Sequence, residues 1–143
     1  AEKKGYYEKG QAAFAKGLIS EAYHFYALSI PYQDASTLVN GPDFYLINNW
    51  VYEKEKADEL TYLNIAFSGD SNTMYRRYYK GAIDDFNIDS LEIKTYDYYV
   101  KDQTIYVYDK ATKEYIKMYT IDEISADNLK VHTKKTTYQF KAS

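Results

Sequence analysis

Cysteine is absent from the chain, which excludes disulfide staples, thiolate nucleophiles and thiolate metal sites together. Such a chain suits either the cytosol or a bacterial exterior where folds hold without covalent ties. Long hydrophobic runs are missing too. No window approaches the roughly 18 unbroken apolar residues that a helical span requires, so no membrane span is expected. Neither sign of charge dominates: 18 basic and 21 acidic residues are interspersed and leave a net charge of −3. That balance argues against a nucleic-acid partner, which needs a basic stripe to displace counterions. The densest basic point, Arg76-Arg77 among Tyr75, Tyr78 and Tyr79, does not supply one, because adjacent residues on a strand point to opposite faces.

Catalytic groups are scarce as well. The two histidines, His24 and His132, stand in no triad signature and read as structural. The acid pairs Asp58-Glu59, Asp84-Asp85 and Asp122-Glu123 are sequence neighbours, which diverge on a strand rather than converge on a substrate. Gly69 and Gly81 are isolated turn candidates, not a phosphate-cradling motif. Asp85-Phe86-Asn87-Ile88-Asp89 opens like a calcium loop, yet Ser90 stands at the obligatory glycine and Tyr96 at the final bidentate glutamate. It reads as a polar connection. The expectation is a non-catalytic protein with no cofactor and no metal site.

What the chain does have is tyrosine, 19 of 143 residues, beside six phenylalanines and one tryptophan. Tyrosine favours strands, and its rigid amphipathic ring gives recognition surfaces contact area at low entropic cost. The chain then divides by period. From Glu2 to about Lys16, Tyr6, Tyr7, Ala13 and Phe14 recur at helical spacing. Gly17 supplies a left-handed closure, and Ser20 is the expected cap of a second helix that Pro31 ends. A third short helix follows from about Tyr32 to Val39, stopped by Asn40-Gly41-Pro42. Beyond it, alternation predicts strands at Asn49 to Glu53, Leu60 to Ser68, Thr73 to Lys80, Leu91 to Val100, Thr104 to Tyr108, Tyr115 to Ile121, Asn128 to Thr133 and Thr136 to Phe140. Successive short strands of this kind imply an antiparallel meander that closes on itself and so removes its edges.

Two resemblances follow. Gly10, Gly17, Ala22 and Tyr26, with the stretch YALSIPYQDAS, look like the small and aromatic positions of a tetratricopeptide-type hairpin, where small residues let paired helices approach. Trp50 on the first strand, then LTYLNIAFSGD, DSLEIKTYD and YTIDEISADNLKVHT, resemble the strand order of a small bacterial lipocalin-like domain. The fold class expected is therefore α+β, a tetratricopeptide-like helical segment over residues 1–41 and a lipocalin-like barrel of about eight strands over residues 42–143. Because one repeat cannot bury both of its sides, the barrel should stand in for the next repeat.

Alternation also assigns faces. Leu63, Ile65, Phe67, Ile105, Val107, Ile116, Met118, Leu129 and Val131 form the expected interior, each contributing about 1.5 to 3 kcal/mol on burial. The tyrosines are expected outside, with Tyr106, Tyr108, Tyr115 and Tyr119 as the binding residues. The function expected is a non-catalytic interaction module of a bacterial envelope or secreted protein that recognises a protein or glycan. The alternative is a carrier of a small apolar ligand inside the barrel. Ala1 in place of Met fits a chain whose targeting segment has been removed, hence an extracytoplasmic, secreted or surface-anchored location.

Overall fold

In a computed structural model describing residues 2–143, three helices precede a closed antiparallel barrel. Helices α1 (Glu2–Ala15) and α2 (Ile19–Ser29) form an antiparallel pair, and α3 (Ala35–Val39) follows. The pair approaches closely because α1 presents Gly10 to the Tyr26 ring, where an added Cβ would lie 2.9 Å from the ring carbon. Gly17, at φ +76°, closes α1. Leu18 N–H bonds to Ala13 O and Gly17 N–H to Phe14 O, the pairing that satisfies the last carbonyls of a helix. Leu18, rather than Ser20, occupies the cap position of α2. Ser20 lies inside the helix, fully buried, where its hydroxyl shares a 2.5 Å hydrogen bond with Tyr98 Oη of the barrel.

The eight strands run β1 (Asn49–Lys56), β2 (Glu59–Phe67), β3 (Thr73–Ala82), β4 (Lys94–Lys101), β5 (Thr104–Asp109), β6 (Glu114–Ile124), β7 (Asn128–His132) and β8 (Thr137–Ala142). Each pairs with its sequence neighbour, and β8 returns to β1 through Trp50 opposite Ala142 and Val51 opposite Lys141. Connections therefore alternate between two ends. The β2–β3, β4–β5 and β6–β7 turns share one end with the helices; the β1–β2, β3–β4, β5–β6 and β7–β8 connections share the other.

The helical end is sealed. Trp50 is 0% exposed, packs in one core with Phe67, Met74, Tyr98, Leu129 and Phe140, and donates its indole N–H to Leu46 O at 3.1 Å. Phe44 carries the core into the helices through edge-on contacts with Phe14, Tyr23 and Tyr26. The seam is also polar: Gly17 O accepts the Val100 N–H at 2.9 Å, while Glu21 clasps Asn72 through its backbone N–H and its carboxylate. On the outer wall, Asn64 donates to Trp50 O and Asn49 Oδ1 and accepts both Nε and Nη2 of Arg77, so this fully buried amide has its hydrogen-bonding capacity filled.

Candidate functional site

The tyrosines do not all look outward. Strand β4 turns Tyr96 and Tyr98 to the same face as Val100, and β3 turns Arg76 and Tyr78 to the face of Met74. In register, Arg76 opposes Ile65, Tyr78 and Tyr52 oppose Leu63 from either side, and Tyr138 opposes Val131, all partners fully buried in the interior. Tyr119 opposes Ile105 and is 3% exposed. The expectation of an aliphatic interior holds for Leu63, Ile65, Phe67, Ile105, Val107, Leu129 and Val131. The expectation of wholly external rings does not.

A bulge explains the error at Tyr119. Opposite β5 the register jumps from Ile105–Tyr119 to Tyr106–Lys117, which leaves Met118 as the extra residue. One inserted residue reverses the phase of everything beyond it. Tyr119 is thereby rotated inward, while Tyr106, Tyr108 and Tyr115 stay outside as expected. There Tyr106 stacks on Tyr99 with ring centres 5.0 Å apart, and Tyr115 stands edge-on to both Tyr99 and Tyr108. The four residues singled out from the sequence thus belong to two surfaces.

At the end away from the helices the barrel is open. Strands β3 and β4 pair only from Thr73–Asp97 to Arg76–Lys94, so the rest of β3 diverges with β1 and β2. The β3–β4 connection does not cover the opening, because Phe86 packs outside on Tyr62 and Tyr79. A recess of about 560 Å³ results, lined by Ile93, Tyr96, Val107, Ile116 and Met118 among others. A second hollow of about 280 Å³ adjoins it over Val107, Ile116 and Met118 and reaches Arg76, Tyr119 and Tyr138. Apolar side chains stand bare at this rim: Ile93 is 57% exposed and Ile116 44%. The larger volume lies within the range of ligand clefts, roughly 300 to 1,000 Å³.

Arg76 is the residue that sequence reasoning missed. Its half-buried guanidinium donates from Nε to Tyr119 Oη at 3.2 Å and lies 5.3 Å from the centre of the Tyr78 ring. Its phase with Met74 was the available signal. Arg77, as expected, points the other way. Asn87 Oδ1 of the calcium-like stretch accepts the Asp89 N–H and builds a tight turn there. His132 Nδ1 meets Asp122 Oδ1 at 2.7 Å on the β6–β7 surface.

Burial raises the phenol pKa of Tyr98 and, against the opposing pull of Arg76, that of Tyr119; burial likewise raises Tyr26, Tyr62 and Tyr138. Tyr7 is pushed up to about 12, first by its hydrogen bond to the Asp34 carboxylate. A folded pKa above the unfolded value of 10.0 means stability that is full below pH 10 and lost as pH rises through the folded values. Alkaline titration should accordingly show one set of phenols ionising late in the folded protein, together with a urea midpoint that falls between about pH 10 and 12. A single phenolate transition near pH 10 with a flat urea midpoint would contradict this.

Comparison of the chain with protein-family models, with curated proteins and with solved structures finds no match.

Proposed function

We propose that the chain is a non-catalytic binding module that receives a small, apolar-bodied ligand in the open end of its barrel. The observation that carries this reading is the convergence of Tyr96, Tyr119 and Tyr138 on two adjoining hollows floored by Val107, Ile116 and Met118. Apolar walls with a few convergent hydroxyls are the usual make-up of a small-molecule site. The bare isoleucines at the rim are the feature that a filled interior alone would leave unexplained. A kinship of the helical pair with tetratricopeptide repeats and of the barrel with lipocalins belongs to the same proposal, supported by the helical hairpin and the strand order, as does an extracytoplasmic setting.

A second reading keeps the outer face as a protein or glycan platform. It is favoured by the contiguous rings of Tyr99, Tyr106, Tyr108 and Tyr115, the last 45% exposed. The neutral dye phenylnaphthylamine, which brightens in apolar surroundings, separates the two. Binding to the wild type that Ile116→Asp weakens by about tenfold, a loss of roughly 1.4 kcal/mol, and that Tyr115→Ala leaves unchanged supports the recess. The opposite pattern supports the outer face, and no binding at all defeats the recess reading.

A further inference from the structure

The barrel interior holds a cation with no anion to answer it. Among the described residues the one ion pair is His132 with Asp122, so no carboxylate lies within 4.0 Å of Arg76. Nε is used on Tyr119, and neither Nη group has an acceptor among the described residues. Guanidinium groups placed half inside a protein are ordinarily matched by a carboxylate or phosphate, because their fork binds two oxygens of one anion at once. Here the fork faces the adjoining hollow, whose other charged lining group is Lys117 and which includes no aspartate or glutamate.

The larger recess does contain two acids, Glu92 and Asp109. Asp109 is engaged at the β5–β6 turn, where its carboxylate accepts the Ala111 N–H at 3.0 Å and the Thr112 hydroxyl at 3.2 Å. The outer side of the β6–β7 gap adds Lys134 beside Lys117. A protein of net charge −3 has thus gathered positive charge at this one opening, next to an apolar floor.

We infer that the ligand of the open end is an amphipathic anion, an aromatic or aliphatic body bearing a carboxylate, sulfonate, sulfate or phosphate group, whose head is held by Arg76. This rests on the open end being the ligand site and adds the charge of what fills it. The head takes the free Nη groups, the Tyr119 and Tyr138 hydroxyls flank it, and the body lies on Val107, Ile116 and Met118. Removing the ligand's charge costs the charge-assisted hydrogen bonds and leaves the rest of the contact in place.

Two dyes with one aromatic body test this: anilinonaphthalene sulfonate and phenylnaphthylamine, which lacks the sulfonate. The wild type should bind the sulfonate about tenfold more tightly. Arg76→Gln, which retains a donor for Tyr119, should bring the two affinities within about twofold without changing that of the neutral dye, and Arg76→Lys should keep the preference for the anion. Unaltered thermal unfolding of the glutamine variant shows that the fold is intact. If that variant unfolds early, the lysine variant and the loss of sulfonate preference at high salt carry the test. Equal affinities in the wild type, or a preference that survives Arg76→Gln, overturn the anion while leaving the recess as the site; a wild type that binds neither dye removes both.

Discussion

Replacing Gly17 by alanine should destabilise the protein by about 3 kcal/mol or more, read as a lowered urea midpoint. Two costs combine there. The left-handed backbone at φ +76° penalises any Cβ by roughly 1 to 2 kcal/mol. In addition, a Cβ built at this position would stand 2.0 Å from the carbonyl oxygen of Val100, a backbone atom that no rotamer change can clear. The helices would have to lift from β4, losing the hydrogen bond from Val100 N–H to Gly17 O and straining the buried contact of Ser20 with Tyr98. Gly5 is the matched control. It sits within α1 with nothing within 4 Å of an added Cβ, so Gly5→Ala should stabilise by about 0.5 to 1 kcal/mol. Equal effects at the two glycines would mean that the hairpin does not bear on the barrel as described.

Trp50→Ala should cost about 3 to 5 kcal/mol, the range for deleting a large aromatic side chain from a packed core. The indole is completely enclosed at the sealed end and bridges the first strand to the segment that leads out of the helices. Trp50→Phe separates packing from hydrogen bonding. It keeps a ring but leaves Leu46 O without its donor, for a loss of about 1 to 3 kcal/mol. Circular dichroism in urea is the measurement, since the chain has no other tryptophan to report by fluorescence. An alanine variant that unfolds with the wild-type midpoint would show that the sealed end is not where the core is.

Both variants act on features that could be read from the chain before its fold was known. Gly17 announced a helix closure, and Trp50 opened the first alternating run. The eight runs of alternation became the eight strands with ends shifted by a few residues, because a half-buried strand writes its period of two directly into the residue types. The hidden parts have physical causes. The bulge at Met118 carries no residue-type signature, so the phase of Tyr119 could not be followed through it. Ser20 looked like a cap because serine caps helices well, whereas tertiary contact with Tyr98 gave its hydroxyl a partner within the fold.

Tyrosine itself is the deeper ambiguity. Its ring can pack inside while its hydroxyl reaches a partner, so the residue type alone assigns no face. Only register does. Met74, Arg76 and Tyr78 share one side of β3, and that side is fixed by Ile65 and Leu63 across the strand pair. The candidate site was for that reason split in the sequence: its outer members were visible, and its inner cation was set aside as half of a basic dipeptide.

The alternation of connections between the two ends also shapes how such a protein can change. Every second hairpin tip, those joining β1 to β2, β3 to β4, β5 to β6 and β7 to β8, lies at the end of the opening, while of the intervening tips those joining β2 to β3 and β4 to β5 are tied to the helices through Asn72 and Val100. Insertions and deletions at the first group leave the tryptophan-centred core untouched, so the shape of the opening and the folding of the core are governed by separate stretches of the chain.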